Sequence, residues 1–423
     1  MKKVLVLAYA ISPYRGSEYS VSWNYIINMS KENELVVLYG VSGNHLGDIN
    51  ELENHIKINP IKNVRFIPII PNKETEKLNS LNKKGIFVYS FYLAFHSWHK
   101  QVYEFAKELI KKEHFDLIHY LTPIGYREPG YLWKFNLPYI WGPIGGTQSI
   151  PIKLVSILSI SDKIKLLLRK TVNSVQFRFK PRLAKAIKNS DVLIASTTFD
   201  QNNFKRIYGC ETYYLPENGI LGSITNEPVF IDKEKKLNII WVGRIDGAKA
   251  LVLLLEALRK MMFANKVNLN VVGSGPLKDE MMSFAKNHGI DNFITWHDTV
   301  PREKVFELFS KSHLHIITSL TEANTTVIWE AMASGIPTIS LDHCGMHDTI
   351  CEKCGIKIPI KSFNQVTEDL AVSIDNLIMN PEKINALSRG VIECAQKYTW
   401  DNRVEYIETM YEKAIGNFKS RKR

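Results

Sequence analysis

Several things are scarce in this chain, and each scarcity narrows what it can be. No apolar run is long enough to cross a bilayer: the most lipid-like stretch, Ile86-Phe-Val-Tyr-Ser-Phe-Tyr-Leu-Ala-Phe95, stops at about half of the roughly 20 residues a spanning helix needs. Cysteine is sparse, at five in 423 residues, which fits a reduced compartment and not a disulfide scaffold. One Cys-x-x-Cys, Cys351 and Cys354, lies close to His343, Cys344 and His347, but no second pair has a standard zinc spacing. Asp342-His-Cys-Gly-Met-His-Asp348 is therefore read as the loop after a strand and not as a metal centre. Internal repeats and low-complexity tracts are missing. The net charge of +11 comes with no recognisable nucleic-acid module, so a nucleic-acid partner is not expected. Acid is scarcest in residues 151–190, which hold ten Lys or Arg against the single Asp162. Apolar residues interleave there, and Ile157 to Lys170 has the pattern of a helix with one basic and one apolar face, suited to anionic lipid or simply to water.

What is present points to an α/β protein. A length of 423 residues suits two domains of about 200 each, and 45% apolar with 23% charged residues is ordinary for a globular chain. Apolar strands alternate with amphipathic helical stretches in both halves, which predicts two parallel sheets covered by helices. The turn-rich run Gly222-Ser-Ile-Thr-Asn-Glu-Pro-Val-Phe-Ile-Asp232 marks the boundary between them. At the start, Lys2 to Ala10 reads as a first strand, the loop Ser12 to Glu18 follows, and a helix begins near Gly16. The same run has the basic start and small-x-small ending of a signal peptide. Its apolar core is short for one, and the loop that follows makes a better strand–turn–helix.

The residues that carry chemistry lie in the second half. Leu237-Asn-Ile-Ile-Trp-Val-Gly-Arg244 is a buried-strand run ending in a glycine turn, with Lys249 five residues on. Ligands of open α/β sheets bind off the carboxyl ends of strands, so two cations leave one strand end toward a common crevice. In Thr318 to Pro337, Glu322 falls in a loop, Asn324 and Thr325 in an uncharged turn, and Glu330 about one turn into the next helix. The amides of Thr325, Thr326 and Val327 stand where a helix start attracts a diphosphate. Two glutamates eight apart also occur on many solvated helices, and a basic strand–helix loop is not by itself a site. In the first half, Phe115-Asp-Leu-Ile-His119 reads as a strand ending in a histidine, and Trp141-Gly-Pro-Ile-Gly-Gly146 as a turn whose glycines permit close approach of backbone or ligand.

Together these segments resemble the retaining nucleotide-sugar glycosyltransferases of the GT-B class, of the family 4 type that includes bacterial surface-polysaccharide enzymes. The likeness rests on Gly243-Arg244-Ile245 with Lys249-Ala250, Gly273-Ser274-Gly275-Pro276, Thr318-Ser319-Leu-Thr-Glu322, and Glu330 to Pro337, in that order. Two positions depart from the family pattern, with Thr325 and Ala250 standing where glycine is usual. The resemblance implies a GT-B fold, two Rossmann-like domains facing each other across a central cleft. It divides the chain into an acceptor-binding domain 1–225, a donor-binding domain 226–400, and a C-terminal helix 401–423 that returns to the first domain. It also implies transfer of a hexose from a nucleotide diphosphate sugar to a glycan or lipid-linked acceptor, as in O-antigen assembly. Arg244 and Lys249 would hold the diphosphate, Glu322 the sugar and Glu330 the ribose, with His119, Gly16 and Ser17 beside the transferred sugar. No metal or other cofactor is expected. Residues 151–190 would rest on an anionic membrane at the cytoplasmic face. A nucleotide-sugar epimerase of the same fold, or an inactive sugar-nucleotide-binding scaffold, fits the same residues.

Overall fold

A computed structural model describes every residue except 17, 41–49, 88, 158–159, 233 and 422–423; within 156–165 and at 169 several side chains are likewise left aside. The chain forms two compact units. Unit 1 is built from Met1–Thr147, Asn173–Asn218 and Arg403–Arg423, and unit 2 from Gln148–Val172 and Gly219–Asn402.

Unit 1 holds a seven-stranded sheet: β1 (Lys2–Ala8), β2 (Asn33–Tyr39), β3 (Val64–Pro68), β4 (Leu117–Thr122), β5 (Tyr139–Ile144), β6 (Val192–Ala195) and β7 (Tyr213–Tyr214), in the order β3-β2-β1-β4-β5-β6-β7. Its strand pairings are parallel. Val4 through Ala8 are all fully buried, which explains why β1 is continuously apolar and not alternating: helices cover both faces of the sheet. The core gathers Leu5, Leu7, Val36, Leu38, Trp98, Ile118, Tyr120 and Trp141. The last helix, Trp400–Arg421, is tied to unit 1 through Glu408, which takes Lys2 Nζ at 2.8 Å and Asn33 Nδ2 at 2.5 Å, and through Arg403, which donates to the Pro216 carbonyl at 2.8 Å.

Unit 2 holds a six-stranded parallel sheet: β8 (Leu237–Val242), β9 (Val267–Val272), β10 (Ile294–His297), β11 (Leu314–Ile317), β12 (Thr338–Leu341) and β13 (Gly355–Ile358), ordered β10-β9-β8-β11-β12-β13. In each unit the strand order reverses direction beside the first strand, between β1 and β4 and again between β8 and β11. This is the doubly wound plan, with a switch point where ligand crevices open. The grouping differs from the expected 1–225 and 226–400 in its middle. Residues 148–172 belong with unit 2 because Leu154 is buried in its core beside Leu251, Leu370 and Ile374.

Candidate functional site

The loops leaving β8 and β11 flank the switch point of unit 2, and hydrogen bonds lash them together. Leu320 N donates to Ala248 O at 2.8 Å, while Thr318 Oγ1 donates to Lys249 O at 2.7 Å and receives Trp241 Nε1 at 2.9 Å. Two glycines after β9 let that loop sit on the β8 loop. A Cβ on Gly273 would lie 2.0 Å from Gly243 O, and one on Gly275 2.3 Å from Ile245 O. The fixed platform carries Arg244 and Lys249. The Lys249 ammonium closes on the Glu322 carboxylate, and both side chains stay about a quarter exposed. Arg244 reaches into solvent, 70% exposed, with only a long contact of 3.6 Å to Asp246. The residue after the lysine, Ala250, is buried with φ +49, in the left-handed region. That backbone explains why glycine is the family's usual choice there, and it leaves this chain with local strain next to its site.

Glu322 is positioned from a second direction. Gly345 N donates to Glu322 O at 3.0 Å, and a Cβ on Gly345 would fall 1.3 Å from Ala323 O, so only glycine fits between the loops. The helix after the loop runs Thr326–Ala333, with Thr325 as an N-cap whose side chain makes no capping bond. The amides of Thr326 and Val327 at its first turn consequently have no partner within the helix. Asn324 Oδ1 receives Thr349 Oγ1 at 3.4 Å, which steadies the turn. Glu330 is 8% exposed and pairs with Arg302 at 3.1 Å. Burial raises its pKa above the ordinary carboxylate value, and the Arg302 guanidinium offsets part of that rise. Arg302 was invisible as a site residue in the sequence, since only the packing of two helices brings it to Glu330.

Unit 1 carries the remaining candidates. Gly16 lies in an exposed loop after β1 with open space around it; Ser17 falls outside the described residues. His119 is corrected. β4 continues to Thr122, so His119 is mid-strand and buried, with Nε2 donating to Gly142 O at 2.8 Å and Nδ1 facing Tyr25 Oη at 2.8 Å and Tyr411 Oη at 3.1 Å. Burial holds its pKa down to about 4, against the pull of the Gly142 carbonyl. With both ring nitrogens engaged, it is a neutral core histidine and not a group offered to a ligand. The neighbour that sequence reading passed over is Glu18, which follows the Gly16 loop and receives Ile124 N at 3.2 Å across the β1/β4 switch point. In Trp141 to Gly146, the glycines serve packing: a Cβ on Gly142 would meet Ile194 O at 2.4 Å and one on Gly145 Ser196 Oγ at 2.5 Å.

The sequence cluster around Cys351 is also rearranged. His343 Nε2 bonds to Ser149 O at 3.1 Å and His347 Nδ1 to Asp342 Oδ1 at 2.6 Å, so neither joins the cysteines. In the basic segment, the helix Ile160–Phe179 leaves Ile164, Leu167, Leu168, Val172, Val175 and Phe179 more than half exposed. Their spacing of three and four residues places them in one stripe. Among the described residues no helix is long and apolar enough to cross a membrane.

Residues 224–393 match the family described as glycosyl transferases group 1. The D-inositol 3-phosphate glycosyltransferase of Rhodococcus opacus (strain B4) is 24% identical over 254 residues, 55% of this chain and 55% of that protein. The chain thus spans about half the length of the curated relatives it matches. Among solved structures, the lipopolysaccharide outer core galactosyltransferase WaaB in its apo form aligns over 100% of both chains, with TM-score 0.63 and 15% identity. HepE of Anabaena in complex with UDP aligns over 97% of this chain and 100% of its own, with TM-score 0.61 and 15% identity. These likenesses show the fold, two Rossmann-like α/β domains of the GT-B type.

Proposed function

We propose that this protein is a retaining glycosyltransferase that moves a hexose from a nucleotide diphosphate sugar to a hydroxyl of a glycan or lipid-linked acceptor. The observation that carries this reading is the gathering, at one switch point, of an uncapped helix start, the exposed Arg244 and the Lys249–Glu322 pair, with Glu330, paired to Arg302, further along the same helix. The amides of Thr325, Thr326 and Val327 and the two cations suit a diphosphate, whose negative charge grows as it leaves. Arginine offers a fork to two oxygens and lysine a point charge, so the leaving group is stabilised without a catalytic metal. Glu322 takes hydroxyls of the sugar and Glu330 those of the ribose. The matched group 1 family and the UDP complex of HepE support a nucleotide-sugar donor. Retention follows from front-face attack, in which the acceptor oxygen bonds to the anomeric carbon and gives its proton to a diphosphate oxygen as the bond from that carbon to the diphosphate breaks. The exposed apolar stripe and the basic residues of 151–190 favour work at the cytoplasmic face of a membrane, where a lipid-linked acceptor in surface-polysaccharide or O-antigen assembly would be found.

A melting screen against a panel of nucleotide diphosphate sugars tests the reading, since a donor that binds the folded state raises the midpoint. One donor class is expected to do so, and Lys249→Ala should lower the rate of transfer about 100-fold while weakening donor binding far less. No midpoint shift with any donor would overturn it, and isomerised donor without acceptor would point to the epimerase instead.

A further inference from the structure

Away from the donor site, three of the four cysteines of unit 2 lie together. Cys351 and Cys354 bracket the turn between the helix Cys344–Thr349 and β13, and Cys394 stands near the end of the helix Glu382–Ala395. Cys351 Sγ lies 3.3 Å from both Cys354 Sγ and Cys394 Sγ, and all three sulfurs fall within 4.8 Å of one another. The turn is wound around its own sulfur. Cys354 N and Gly355 N both donate to Cys351 O at 3.0 Å, and Cys351 N donates to Cys354 Sγ at 3.1 Å, a bond that favours a thiolate. The third cysteine arrives because of a glycine. A Cβ on Gly390 would sit 1.8 Å from Lys353 O, so the helix rests directly on the backbone of the turn. Cys394 lies one helical turn beyond Gly390 on the same face and is delivered to the other two.

We propose that Cys351, Cys354 and Cys394 form a thiolate site for a soft or borderline d10 metal ion, zinc(II) in the first instance, with a fourth position left for water or an added ligand. The geometry is close to what zinc requires. Two pairs of sulfurs lie 3.3 Å apart and the third pair within 4.8 Å, against about 3.8 Å between the corners of a tetrahedron with Zn–S bonds of about 2.3 Å, so small side-chain rotations would bring all three onto one ion. A Cys-x-x-Cys turn is a recurring half of zinc sites, the third cysteine adds a third ligand, and a donor set of sulfur alone selects against magnesium and calcium. Binding exchanges each bound S–H proton for the metal, so protons pass to solvent and affinity rises with pH. Cys351, which is partly exposed, is the point of entry. The sulfurs border the apolar cluster of Ile328, Trp329 and Met332, so a metal here would brace the helix that starts at Thr326 from behind.

The test uses the full chain, reduced and stripped with a chelator, then titrated with zinc chloride. One equivalent is expected to bind, to raise the melting midpoint and to shield three of the five thiols from a thiol reagent. Cobalt(II) in its place should give a sulfur-to-metal charge-transfer band. Cys394→Ser should lower zinc affinity about tenfold or more, while Cys210→Ser leaves it unchanged. Because Cys394 is buried and its variant could fold poorly, Cys351→Ser serves as a second variant with the same expectation. Absence of stoichiometric uptake, a cobalt spectrum without the sulfur band, or equal thiol reactivity with and without zinc would each overturn the proposal. So would a Cys351–Cys354 or Cys351–Cys394 disulfide that forms on mild oxidation at the same rate with zinc present.

Discussion

Glu18 holds a partly buried carboxyl that accepts from Ile124 N. Burial raises its pKa above the ordinary carboxylate value, and the Ile124 amide works the other way. As pH rises the unfolded chain loses this proton first, so the stability contributed by Glu18 is fully present below its unfolded pKa and declines until the folded pKa is passed. Glu18→Gln keeps an oxygen for Ile124 and removes the titration. It should raise stability near neutral pH by about 1 kcal/mol, and the gain should vanish below about pH 4, as followed by thermal melts across pH. A pH-independent difference would mean that burial of the charge is not the cause. Residues differ in how openly the sequence declares them. Lys249, Glu322 and Glu330 could be found because strand end, loop and helix start follow one another along the chain. Arg302 and Glu18 could not, because their partners lie 28 and 106 residues away and meet only after folding. His119 was misplaced because Leu117-Ile-His-Tyr-Leu-Thr122 is apolar enough to carry the strand past it.

At several loops, elements meet directly at a glycine. Gly345 is the clearest case, since any side chain would strike the carbonyl of Ala323 in the Glu322 loop. Gly345→Ala should destabilise unit 2 by roughly 3 kcal/mol or more, as overpacking against rigid backbone does, and should weaken donor binding in the same melting screen. A variant that melts and binds like the parent would show that the loop yields at little cost. The alternation of strand and helix in each half was legible because the apolar runs are long and the turns are marked. Close contacts between loops were not legible, since a glycine tolerated in a turn and a glycine demanded by a neighbour 22 residues away look alike along the chain.

At the scale of the whole molecule, the charge of +11 and the bare apolar stripe of the helix Ile160–Phe179 bear on where the protein works. Leu167→Glu combined with Leu168→Glu should cut binding to vesicles rich in anionic phospholipid by about tenfold or more, with binding to zwitterionic vesicles weak from the start. Cosedimentation at low and high salt measures it, and undiminished binding would remove this helix from the membrane contact. The two-domain plan was readable from alternating patterns, whereas the placement of residues 148–172 was not, because nothing near Leu154 announces which core it fills. The discontinuity of unit 1 has a further consequence for biosynthesis. Arg403–Arg423 contributes Glu408 to Lys2 and Tyr411 to Tyr25, so a ribosome must make all of Gly219–Asn402 before it can supply the closing piece. The half of the protein translated first is therefore the half completed last, and a chain ending near residue 402 would hold every residue of unit 2 but an unsealed unit 1.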